Sequence, residues 1–206
     1  MIPLCTHKTN RGFTLIELLV AMTLGLVVLG AILSIFVNQS QTNAAQQEVA
    51  YAQQNVRAAM DLIVREIRNA GYDPHGNEFD AIATAEANKI QVLSNLSGDD
   101  EGLGNPPDDA NEDVTYEVNA SGQLTRNGTR IVDFVVYFEF HYYLADGTEL
   151  DPPGAALTPT QRADIRAVVV ILAVRTENRA PDTREYRIRS QVSGARVRNL
   201  GFQDIP

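Results

Sequence analysis

Cysteine is almost absent from the 206-residue chain: Cys5 stands alone, so no disulfide can form within it and the fold must be held by packing. Tryptophan is missing, and histidine occurs only at His7, His75 and His141, with neither a catalytic triad nor metal-ligand spacing around them. Phosphate-cradling glycine loops are missing as well. These gaps point to a non-catalytic protein with no cofactor and no metal. Gly at 14 and Pro at 9 are too few for a collagen-like chain, and 44% apolar residues are too many for a disordered one. The length suits one folded domain plus an appendage. Charge is missing locally too. From Leu18 to Val37 there are 20 residues without one, and at ~1.5 Å per residue a helix of that length spans ~30 Å, the thickness of a bilayer's hydrocarbon.

Residues 1–12 form a short polar leader with Lys8 and Arg11 ahead of the apolar run. Positive charge on that side keeps the leader cytoplasmic and sends the bulk of the chain across the membrane. A secretory signal has a shorter apolar core, about 7 to 15 residues, followed by a small-x-small cleavage site, and residues 38–42 (NQSQT) offer none. Cys5 has too short an apolar stretch before it for a lipidation signal. Glu17 is the odd residue, a carboxylate at the entrance to the apolar run. Such a group costs ~2.5–3.5 kcal/mol on insertion scales unless a partner relieves it, and nothing nearby in the sequence is expected to do so. Two readings stay open: snorkelling to the headgroups, or a counter-charge on another molecule.

Lys8 to Glu17 (KTNRGFTLIE), followed by the uncharged run, resembles the class III signal of type IV pilins and of type II secretion pseudopilins. The resemblance implies cleavage after Gly12 by a prepilin peptidase and N-methylation of Phe13. It also implies that Glu17 pairs with the Phe13 amine of an adjacent subunit during assembly. Cleavage would remove Cys5, Lys8 and Arg11, taking the net charge from -9 to about -11.

Downstream, Asn38 to Ala70 contains neither Pro nor Gly, and Val49, Val56, Met60, Ile63 and Ile67 recur at helical spacing. Glu48, Arg57, Asp61, Arg65, Glu66 and Arg68 are expected on the opposite face. Gly71, with Asp73-Pro74 behind it, is the natural stop. The predicted organisation is a leader 1–12, a membrane-spanning helix half 13–37, an amphipathic half 38–71, and a β-sheet head 72–206. The fold class is α+β, a long N-terminal helix packed on a C-terminal antiparallel sheet. Residues 89–93 and 114–118 alternate as strands. Val132 to Tyr143 is expected as one strand whose ridge Phe134, Val136, Phe138, Phe140 and Tyr142 meets the helix. Ala167 to Arg175 reads as a central strand, and 183–192 as a strand with Tyr186, Ile188 and Val192 inward. Residues 97–113 read as a solvated acidic loop; it lacks EF-hand spacing for calcium.

The order of weaker motifs sharpens the resemblance. Arg65-Glu66-Ile67-Arg68-Asn69-Ala70-Gly71-Tyr72, Asp113-Val114-Thr115-Tyr116, Leu124-Thr125-Arg126 and Val197-Arg198-Asn199-Leu200 are similar to those of PilW-type minor pilins. GspJ-type minor pseudopilins share much of this order. The resemblance implies a minor pilin that joins other minor pilins in a tip or priming complex. Its partners would be pilus subunits, the peptidase and, before assembly, the inner membrane, with the C-terminal domain periplasmic and later at the cell surface. The alternatives are a pseudopilin in the periplasm and a pilus-displayed adhesive or DNA-binding module. Nine arginines in residues 157–206 favour the last, but the acidic chain argues against nucleic acid, and pairing with acidic neighbouring subunits is simpler.

Overall fold

A computed structural model describes residues 13–99, 102, 105–107, 109, 111–150 and 156–197. The chain divides into two compact units, residues 1–44 and 45–206, and one helix, α1 (Leu15–Asn69), contributes to both. In the first unit the described residues are this helix and the two residues before it, exposed throughout. It is long and apolar enough, by length and composition, to cross a membrane.

In the second unit α1 buries Ala52, Val56, Ala59, Met60, Ile63 and Ile67, a stripe one helical face wide. The helix ends where Gly71 takes φ 73°, a left-handed conformation that glycine adopts without a Cβ clash, and its N–H donates to Leu93 O at 2.8 Å. Glu66 departs from the exposed face expected of it. It turns to the strands, where it pairs with Arg126 at 2.9 Å and accepts a hydrogen bond from the Tyr116 hydroxyl. Arg126 also donates to Asn111 at 3.3 Å. A carboxylate can sit in this half-buried place because a guanidinium and a phenol satisfy it.

Two antiparallel sheets, rather than the single one expected, complete this unit. The first is a meander of β1 (Ile82–Ala85), β2 (Lys89–Leu93), β3 (Asp113–Val118), β4 (Leu124–Arg126) and β5 (Thr129–Val132). The second runs β7-β6-β8-β9, from β6 (Val135–Tyr143), β7 (Glu149–Leu150), β8 (Ala167–Arg175) and β9 (Ile188–Arg196). A short helix, α2 (Pro159–Ala163), lies between β7 and β8 and starts with a Thr158/Gln161 capping box. The helical stripe, the inward residues of both sheets and Leu157 share one core.

The sheets divide where one strand was expected. Phe134 adopts φ 57°, and this turn separates β5 from β6. A register shift between Val135 and Tyr137 then leaves Val136 and Tyr137 both exposed. Only Phe138, Phe140 and Tyr142 of the expected ridge reach the core, with Phe138 and Phe140 edge to face at 4.8 Å.

β8 is central, as expected, but β9 reverses its predicted faces. Pairing of Ile171 with Val192 and of Arg175 with Ile188 puts Val192 and Ile188 on the outer face, 61% and 55% exposed, and Tyr186 is exposed as well. Alternation fixes which residues share a face but not which face is covered. Here Arg189, Gln191 and Ser193 take the side facing the core, and only Ala195 of β9 is fully buried.

The acidic stretch 97–113 is described in part. Within it Glu112 is buried rather than solvated, accepting from the Ser97 N–H through its carboxylate and from the Ser94 N–H through its carbonyl. Among the described residues no group of three or more His, Cys, Asp or Glu is placed to hold a metal ion.

Candidate assembly site

The expected site residues are Gly12, Phe13 and Glu17. Gly12 lies outside the described residues. Phe13 is 91% exposed, and Glu17 stands in the first turn of α1.

Between them lies Thr14, which the sequence reading overlooked. Its backbone N–H donates to Glu17 Oε2 at 3.0 Å, and its hydroxyl does so at 2.9 Å. The Glu17 N–H in turn donates to Thr14 Oγ1 at 3.3 Å. This is a capping box, Thr14-Leu15-Ile16-Glu17, in which a hydroxyl and a carboxylate exchange hydrogen bonds with two of the helix's orphan N–H groups. The T-x-x-E spacing was the available signal. The expectation that nothing nearby relieves Glu17 is therefore corrected: Thr14 supplies hydrogen bonds. It supplies no positive charge, and among the described residues no Lys or Arg lies within ion-pair distance of Glu17.

Chemically this places one anionic group, fixed in orientation by Thr14, at the start of a helix whose apolar side chains are exposed on every face from Leu15 to Val37. Apolar side chains in that arrangement need lipid or other apolar helices around them. The carboxylate needs water, headgroups or a cation.

Several C-terminal arginines are held within the chain. Arg162 pairs with Asp80 at 3.2 Å and donates to Ile82 O at 2.9 Å, and Arg187 pairs with Asp182 at 3.3 Å. Arg175 lies over the Phe134 and Tyr186 rings at 4.8 and 4.1 Å. The basic excess of residues 157–206 is thus partly spent on internal contacts.

The architecture is a long helix, apolar in its N-terminal part, followed by antiparallel sheets, and residues 7–33 match the family model of the prokaryotic N-terminal methylation motif. That match takes in Gly12, Phe13, Thr14 and Glu17. Among solved structures the chain is similar to a type IV-like pilin from Thermus thermophilus, at 13% identity and a TM-score of 0.48, over 72% of this chain and 97% of that one. No curated protein matches the chain. The motif and the apolar helix fit anchoring in the inner membrane.

Proposed function

We propose that the chain is a minor pilin, a structural subunit that co-assembles with other minor pilins in a tip or priming complex and helps start a type IV pilus. The observation that carries this reading is Glu17, an acid held by Thr14 at the start of the exposed apolar stretch of α1, with no counter-charge among the described residues. In this reading prepilin peptidase cuts after Gly12, which creates a new cationic amine at Phe13 and leaves that amine methylated. Residues 13–37 hold the subunit in the inner membrane before assembly and bundle with neighbouring helices after it. Residues 38–71 join that segment to the head, 72–206.

The mechanism is electrostatic registration. In a low-dielectric bundle an unpaired carboxylate is costly, and a neighbouring Phe13 amine a few ångströms away turns that cost into attraction. Helices that slide past one another lose the pair, so one axial offset is selected. Capping by Thr14 pre-orients the carboxylate without neutralising it.

Intact-mass and N-terminal fragment spectra of the protein purified from membranes test the processing step. A chain beginning at methylated Phe13 is expected; one that retains residues 1–12 would remove the amine from the mechanism. Co-purification separates the pilus from the secretion alternative: pilus subunits are expected, and recovery with secretion pseudopilins alone would reassign the chain.

A further inference from the structure

The geometry points to the free edge of β9 as a docking site for an extended, acidic and apolar alternating segment of another polypeptide, added as a fifth strand to the second sheet. This surface lies outside the N-terminal segment and does not depend on how that segment is processed.

Backbone phase comes first. Val197 N donates to Arg166 O at 3.0 Å and Thr176 N to Arg187 O at 2.9 Å, so the odd-numbered residues of β9 turn their backbone groups to β8. Ile188, Ser190, Val192, Gly194 and Arg196 therefore turn theirs outward. Among the described residues no strand lies beyond them. Among the described residues, the Ile188 carbonyl is the one of these groups that is occupied, by Arg189 Nη1 at 2.8 Å.

Edges of soluble sheets are commonly blunted by brevity, proline, a bulge or charged side chains. β9 has none of the first three: it is nine residues long, contains no Pro, and pairs with β8 without a register shift. What it has is charge of one sign. Ile188–Arg196 contains Arg189 and Arg196 and no acid, and among the described residues neither arginine has an acidic partner.

That charge selects the occupant. Two copies pairing through β9 would bring four arginines together, which disfavours a symmetric dimer, whereas an acidic strand is attracted. Side-chain rows set the pattern. On the outer face Ile188 and Val192, continued inward by Ile171, form an apolar row that ends at Arg196; on the other face lie Arg189, Gln191 and Ser193. An added strand would place β-branched residues beside Ile188 and Val192, and one carboxylate beside Arg189 on the opposite face and another at the Arg196 end of the row. Main-chain bonds would supply affinity and the alternation specificity, as in other β-augmentation sites.

Fluorescently labelled Ac-EVEVEVE-amide and Ac-KVKVKVK-amide, titrated with the full chain in non-ionic detergent micelles against empty micelles, test this by anisotropy. The acidic peptide is expected to bind, more weakly as salt rises, and the basic one not to bind. Val192→Pro removes an outward N–H that β8 does not use, so the fold is retained while affinity falls by about tenfold or more. Arg189→Glu with Arg196→Glu should exchange the preference between the peptides, an outcome that a misfolded variant could not give. Equal binding of both peptides, binding indifferent to Val192→Pro, or self-association of the chain that Val192→Pro abolishes would each overturn the proposal.

Discussion

Residues 15–44 and 45–69 belong to the same helix, yet they stand in opposite relations to their surroundings. In the first stretch Leu24 is 61% and Phe36 68% exposed; in the second Met60, Ile63 and Ile67 are fully buried. As far as Val37 the first is apolar all round and so has no face to spare for water. The second confines its apolar residues to a stripe and turns Asp61, Arg65 and Arg68 outward. A stripe can be satisfied by the chain's own sheets; a cylinder cannot, because no single partner surrounds it. Secondary structure is shared, and what differs is where the solvent for the apolar side chains must come from.

The largest effect should arise at the border of that first stretch. Glu17→Gln keeps a side chain that can still accept from Thr14 but removes the charge. If counter-charge pairing sets register, incorporation into filaments, read by immunoblot of sheared surface fractions, is lost, while Thr14→Ala costs about 1 kcal/mol of capping and leaves incorporation largely intact. Equal impairment by the two substitutions would reduce Glu17 to a helix cap and break the proposed role of the first stretch.

Within the second stretch the contrast is thermodynamic. Ile63→Ala opens a cavity in a packed core and should lower the stability of the sheet-bearing unit by about 2–5 kcal/mol, followed by near-ultraviolet circular dichroism of the full chain in detergent. Val28→Ala, the corresponding truncation among exposed residues, should leave that transition in place. A matching loss from Val28→Ala would show that the two stretches are not energetically separate.

A finer division appears at Glu66, the acid of the second stretch that faces the strands. Glu66→Ala strands Arg126 in a half-buried site and should cost about 3 kcal/mol. Glu66→Ala combined with Arg126→Ala leaves no orphan charge, so the pair should cost less than the sum of the single changes. Strict additivity would mean that Tyr116 and Asn111, rather than the ion pair, hold this corner.

How far the sequence announced these differences depends on the kind of signal. Val56, Met60, Ile63 and Ile67 repeat at helical spacing, and the structure buries all of them. Ala167–Arg175, apolar on both faces, was legible as a central strand, but its cover was not: Val168, Val170 and Leu172 are buried, whereas Val169 and Ile171 on the outer face are only half-buried. The faces of β9 were not legible, since Ile188 and Val192 belong to an apolar outer face that competes with the core in any reading by hydrophobicity. Nor was the break at Phe134, because a left-handed turn at a non-glycine residue interrupts a regular alternation without changing it. At the candidate site Glu17 stood out as a charge among apolar residues. Thr14 did not, although T-x-x-E is a helix-start signature, because its role lies in hydrogen bonds rather than in polarity contrast.

The smallest effect separates the buried polar contacts of the core from the exposed phenols. Burial first, then the Glu66 hydrogen bond and charge, push the Tyr116 phenol well above its ordinary value, and burial does the same to Tyr142, whose hydroxyl donates to Glu86 O at 2.8 Å. Both groups favour the neutral form when folded, so their contribution is fully present below the unfolded phenol value near ~10 and is lost as pH climbs above it. In an alkaline titration Tyr116 and Tyr142 should therefore ionise only with the unfolding transition that circular dichroism reports. Tyr116→Phe should remove one of the two late phenols and cost about 1 kcal/mol, because the Glu66–Arg126 pair survives it. If Tyr116 and Tyr142 ionise before the fold opens, water reaches them, and the second stretch of α1 is less completely sealed against its sheets than its stripe of buried residues implies.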